Sequence, residues 1–163
     1  MTPAPHKAAG QIPLPGLMEV VQEALFAEFR QELEETGYGD IRPTHGCVFR
    51  FIREEPLRLT ELASLAGMTK QSIGEVIDNL VQLGYVQRVP DPQDRRAKLL
   101  CLTERGEEAQ KVGLGLFKKV EQRWAKRYGP DRFAQLRELL EEIAIAEAPT
   151  AVPELARPEL ASA

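Results

Sequence analysis

Apolar residues recur along most of this chain at the spacing of helices. Leu17, Met18, Val21, Leu25, Phe29 and Leu33 predict a first amphipathic helix, ended by Thr36-Gly37-Tyr38-Gly39. A second runs from about Pro43 through Val48, Phe49 and Ile52 to a break before Pro56, because proline drives the residue ahead of it out of the helical region. Leu62, Ala63 and Leu65 mark a short third helix over 61–66 with Thr60 as its cap, and Gly67 supplies a tight turn. Thr69 caps a fourth, in which Ile73, Val76, Ile77 and Leu80 share one face, stopped by Gly84. The period then shortens to that of two strands, 85–89 and 99–102, around a polar loop. Helical spacing returns at Ala109, Val112, Leu116, Val120 and Trp124, and again at Phe133, Leu136, Leu140 and Ile143, with Gly129-Pro130 between the two runs.

Helix, tight turn, helix, strand, loop and strand over residues 57–106 spell a winged helix-turn-helix. The expected fold is therefore mainly α with a small β-hairpin, flanked by N- and C-terminal helices whose apolar stripes exceed what this module can cover. A second copy is the simplest cover, giving a homodimer; a monomeric bundle of the terminal helices is the other solution. The expected organisation is a mobile proline-rich arm (1–16), a first dimerisation helix and linking helix (17–56), the DNA-binding lobe (57–106), C-terminal dimerisation helices (107–148) and a mobile tail (149–163).

The fourth helix is chemically lopsided. Its first turn presents Thr69, Lys70, Gln71 and Ser72, while Glu75 and Asp78 come one and two turns later. Entering a major groove by its N-terminal end, it would offer Gln71 to an adenine, Lys70 to a guanine or phosphate, and Thr69 or Ser72 to phosphate oxygens. The loop, Pro90-Asp91-Pro92-Gln93-Asp94-Arg95-Arg96, is stiffened by two prolines and continues into Lys98. Asp91 or Asp94 can bond nearby backbone or hold an arginine for insertion into a minor groove. A solvated charged face and a surface ion pair are the structural alternatives for these residues.

Charge qualifies this reading. The chain of 163 residues carries a formal net charge of -4, unusual for a DNA binder, yet residues 57–105 sum to +1 and leave -5 for the rest. A basic tip on an acidic body would present one face to DNA. Aromatic content of 6% argues against a single-strand stacking platform. The two cysteines, Cys47 and Cys101, are too few for a disulfide framework or a zinc site and read as buried residues in a reduced compartment. No signal-like or membrane-spanning run occurs, so a cytoplasmic protein with no membrane association is expected. No cofactor is expected: there is no phosphate loop and no metal-ligand spacing, and His45-Gly46-Cys47 alone hints at catalysis. An enzyme is thus disfavoured, and a winged helix serving as a protein-protein interaction module within a larger assembly is the alternative to a DNA-binding regulator.

The string DPQDRRAKLLCLTERG, and LTELASLAGMTKQSIGEVIDNLVQLGYVQR before it, resemble the wing and helix-turn-helix of the multiple antibiotic resistance regulator (MarR) family. The six-helix order is similar as well. The resemblance implies a homodimer joined by its terminal helices, a recognition helix beginning near Thr69, a pseudo-palindromic duplex operator, and a wing arginine, best matched by Arg96 with Asp94 orienting it, in the minor groove. It also implies a repressor released by a small aromatic or phenolic effector between the dimer helices and the DNA lobe, or by cysteine oxidation. Peroxide-sensing members carry their cysteine in the first helix, where this chain has none. For an effector pocket the candidates are His45, Phe49 and Trp124, each combining an apolar body with a possible polar handle or serving as core packing.

Overall fold

The computed structural model describes residues 12–53 and 55–147. Of the two expected mobile tails, residues 1–11 and 149–163 lie outside these. Residues 14–16 belong instead to the first helix, α1 (Leu14–Glu34). Pro15 sits in its first turn, where a missing N–H costs nothing because that donor has no partner within the helix. A 3-10 turn (Pro43–His45) leads into α2 (Gly46–Phe51), which stops well short of Pro56, with Ile52 already extended.

The helix-turn-helix follows its sequence signals with one change. Helix α3 (Leu59–Ala66) begins at Arg58, whose backbone N–H donates to the Glu61 carboxylate at 2.7 Å, so Glu61 and not Thr60 secures this end. Gly67 closes it in the left-handed region at φ 62°. Helix α4 (Lys70–Gln82) is capped by Thr69 and ends with Gly84 at φ 79°, where Tyr85 N–H bonds Leu80 O and Gly84 N–H bonds Val81 O.

Two residues the sequence did not mark as strand, β1 (Leu57–Arg58), join β2 (Val86–Pro90) and β3 (Lys98–Leu102) in an antiparallel sheet ordered β1-β3-β2. Val86 pairs with Leu102 and Pro90 with Lys98, which makes the hairpin the wing; Leu57 pairs with Leu100 on the other edge. The core lies in this lobe. Val48, Ile52, Leu62, Ile73, Ile77, Leu80, Tyr85 and Leu100 are buried together between α2, α3, α4 and the sheet.

Helices α5 (Glu104–Tyr128) and α6 (Pro130–Glu147) carry the chain away from the lobe. Thr103 caps α5 by accepting from Gly106 N–H at 3.1 Å and donates to Gly84 O at 2.6 Å, fastening the helix to the end of α4. Helix α1 lies along α5: Phe29 stacks on Phe117 at 4.0 Å between ring centres, and Glu28 and Glu32 bind Arg123, Lys119 and Arg127. No residue of α6 is buried among the described residues. Leu17, Met18 and Val21 of α1 and Leu136, Leu140 and Ile143 of α6 face solvent at 44–52% exposure.

Candidate nucleic-acid interface

The exposed end of α4 is built by its cap. Thr69 Oγ1 accepts from Ser72 N–H at 3.1 Å and lies 2.8 Å from Ser72 Oγ, so both hydroxyls serve the helix terminus first. Lys70 and Gln71 stand exposed beside them, with no partner among the described residues. Asp78, the acid two turns from the cap, is bonded at 2.6 Å to Arg88 of β2, which offsets its charge and ties α4 to the wing's first strand.

The wing turn is a closed network. Asp94 N–H donates to Asp91 O at 3.3 Å, Ala97 N–H to Asp94 O at 2.9 Å, and Asp91 N–H to Ala97 O at 3.2 Å. Asp94 Oδ1 accepts from the backbone N–H of Arg96 at 3.0 Å. Asp94 therefore orients the main chain at Arg96 and not its guanidinium. The side chains of Arg95 and Arg96 are exposed and without ion-pair partners among the described residues; Lys98 stands on β3, one strand position past the loop.

At the root of the wing stands Asp91, one of the two aspartates expected to bond backbone or hold an arginine; the arginine it holds, Arg58, was not among the sequence candidates. Asp91 is only 5% exposed, and its carboxylate takes Gln93 N–H on one oxygen at 2.8 Å and Arg58 Nε on the other at 2.9 Å. The Gln93 N–H, with Arg58 adding to it, holds the Asp91 carboxyl below its ordinary range. Asp91 was visible as a turn residue; Arg58, 33 positions away, carried no local signal.

A second feature lies between α1, α2 and α5. A cavity of about 180 Å³ is walled by Phe26, Phe29, Leu33, Phe49, Leu114 and Phe117, with Arg30, Arg42, Arg50, Arg53 and Gln110 supplying polar groups. Gln110 Nε2 donates to Phe49 O and, at 3.0 Å, to Ile52 O, fastening the end of α2 to α5. Of the three residues proposed for a pocket, Phe49 alone lines it. His45 is buried elsewhere, its Nδ1 accepting from Arg42 N–H at 3.1 Å, and burial lowers its pKa. Trp124 lies further along α5, where its indole N–H donates to Glu28 at 2.8 Å. Burial pushes the pKa of the Cys47 thiol up, away from the thiolate that would attack a peroxide; its Sγ donates to Thr44 O at 3.3 Å.

Among the described residues, no His, Cys, Asp and Glu side chains cluster to hold a metal ion, and no helix is long and apolar enough to cross a membrane.

Known proteins share this architecture. The MarR family model matches residues 40–97, from the loop before α2 through the wing turn. The HTH-type transcriptional regulator PetP of Rhodobacter capsulatus is 33% identical over 127 residues, covering 73% of this chain and 75% of its own. YdcH of Bacillus subtilis, an uncharacterised HTH-type transcriptional regulator, is 32% identical over 76 residues, covering 47% and 52%. Among solved structures, the reduced form of MarR from E. coli superposes with a TM-score of 0.72 at 26% identity, covering 82% of this chain and 98% of that one. The transcriptional repressor CouR, bound to a 23-mer DNA duplex, shares the fold with a TM-score of 0.67 at 24% identity over 80% and 92% of the two chains. A winged helix-turn-helix set between long terminal helices, matched in sequence along most of its length by such a regulator, places this chain in the MarR family of transcriptional regulators.

Proposed function

We propose that this protein is a dimeric, sequence-specific regulator that binds a pseudo-palindromic duplex operator, represses transcription there, and is released by a small aromatic effector. The observation that carries the proposal is the pairing of an uncapped chemistry with a rigid mount. Lys70, Gln71, Arg95 and Arg96 are exposed with no competing partner among the described residues, while the backbones that bear them are fixed by the Thr69 cap and the closed wing turn. A backbone fixed in this way needs no ordering on meeting a ligand, so only the rotamer freedom of these side chains is lost. Helix α4 would enter the major groove by its first turn, with Gln71 reading a base, Lys70 reading a base or a phosphate, and Thr69 and Ser72 near phosphates; the wing would send Arg96, flanked by Arg95 and Lys98, to the minor groove.

The apolar stripes on α1 and α6 support self-association, since a second copy turns two exposed faces into one core. Two lobes related by a two-fold axis would then meet grooves ~34 Å apart, one turn of duplex. The cavity supports the effector: aromatic walls suit an aromatic body, and the arginines suit an acidic or phenolic group. An effector would release DNA only by binding the non-operator conformation more tightly. The protein would act in the cytoplasm, with the chromosome.

A mobility-shift titration of genomic fragments at rising salt tests the DNA reading. Binding at low salt that weakens steeply as salt rises is expected; no shift in dilute buffer would remove it.

A further inference from the structure

The root of the wing is held by residues distant in sequence. Asp91 follows directly on β2 and is almost wholly buried. One carboxylate oxygen closes the wing turn through Gln93 N–H at 2.8 Å; the other receives Arg58 Nε at 2.9 Å and Arg58 Nη2 at 2.5 Å. Arg58 is itself fixed from two directions. Its Cα pairs with Leu99 across the β1-β3 ladder, and its N–H is bonded to Glu61 at the start of α3. The three backbone bonds among Asp91, Asp94 and Ala97 then carry this anchorage round the turn that displays Arg95 and Arg96. A two-stranded ribbon of five-residue strands is at best marginal by itself, so its tip is only as fixed as its root.

We propose that Arg58 is a positioning residue for DNA binding: with Asp91 it latches the wing to β1, so that the tip arginines are presented in a fixed place relative to α4. This rests on the DNA-binding reading. The arginine fork matters, because two N–H groups in one plane seize a single carboxylate oxygen, which a lysine's one ammonium does not reproduce. With the latch open, the wing would have to be ordered at the moment of binding, and that cost would be charged to affinity. The Arg58 side chain is 40% exposed, so direct contact with a phosphate is the competing role, and the two roles differ in how they combine with loss of the tip arginines.

The test uses full-length protein and a duplex selected from a random pool by the wild type. Affinities would be measured at two salt concentrations for Arg58→Ala, Arg58→Lys, Asp91→Asn, the pair Arg95→Ala with Arg96→Ala, and that pair combined with Arg58→Ala. Amide exchange of residues 91–97 would be followed in the free proteins. Asp91→Asn keeps the shape and the acceptor for Gln93 N–H, so it tests the latch even if Arg58→Ala fails to fold. The expected result is a loss of about tenfold for Arg58→Ala and for Asp91→Asn, with partial recovery in Arg58→Lys. Exchange at Gln93 and Arg96 should quicken while that of α4 stays slow. Adding Arg58→Ala to the tip pair should cost less than about twofold more, because the latch acts through those arginines. A full multiplicative loss in the combined variant would show direct phosphate contact and overturn the proposal. Unchanged exchange and affinity in Asp91→Asn, with wild-type binding intact, would overturn it alone; a wild type that selects no duplex would remove the DNA reading and this proposal with it.

Discussion

A methyl group at position 106 would lie 2.1 Å from the carbonyl oxygen of Tyr85, well inside contact distance. That oxygen already accepts Thr103 N–H at 3.0 Å, so it cannot retreat without loosening the joint between β2 and α5. Gly106→Ala should therefore destabilise the fold by ~2 kcal/mol or more, the scale of an overpacked core, as read by urea unfolding; wild-type stability would contradict this. The final glycine of LTERG was legible as part of a motif, whereas its reason, the backbone oxygen of Tyr85 just ahead of β2, was not. His45 makes a different prediction. Burial favours its neutral form, and a hydrogen bond with Asn79 works against this without reversing it, so its folded pKa lies below the ordinary 6.5. The unfolded chain then binds more protons between those values; the stability is complete above 6.5 and is lost as pH falls through the folded pKa. Urea unfolding of wild type and His45→Gln at descending pH should show a steeper acid loss in the wild type; parallel curves would refute it. At the interface, Gln71→Ala should relax preference at one base position by ~1–3 kcal/mol. A uniform loss across sequences would assign Gln71 to the backbone instead.

Elements with a long apolar period were readable, and elements defined by distant partners were not. Ile73, Val76, Ile77 and Leu80 reveal α4 because a helix must turn one stripe inward, and three of the four are fully buried there. Thr69 was legible as its cap for an equally local reason: a hydroxyl three residues before an N–H without a partner. Thr69→Ala should cost ~1 kcal/mol of stability, recoverable in part by Thr69→Asp or Thr69→Asn; no loss in thermal or urea unfolding would contradict the cap. Strand β1 escaped the same reasoning because two residues have no period, and only pairing with Leu99 and Leu100 makes them a strand. Two capping groups competed for the start of α3, and Glu61 prevailed because its carboxylate reaches back to Arg58 N–H. The cavity was legible only through Phe49. His45 and Trp124 carry polar handles, but each handle is spent on a neighbour within the fold, Arg42 and Glu28 respectively.

At the scale of the whole molecule, the exposed apolar faces of α1 and α6 lie on elements other than those that bear the proposed DNA contacts, as the proposed dimer requires. A single lobe offers one helix end and one wing, which would be little grip for a duplex; two joined lobes would bind as a unit with an effective concentration set by the joint. Sedimentation should therefore show a dimer, and Leu140→Glu with Ile143→Glu should give a monomer whose duplex affinity falls by ~100-fold or more. A dimer that survives both changes would move the interface elsewhere. Whether paired α4 ends and wings grip adjacent grooves on one side of a duplex is decided by hydroxyl-radical footprinting of wild-type protein on a selected duplex. Two equivalent protected windows centred about one helical turn apart are expected, each flanked by minor-groove protection that disappears in Arg95→Ala with Arg96→Ala. A single window, or flanking protection indifferent to those arginines, would contradict that grip.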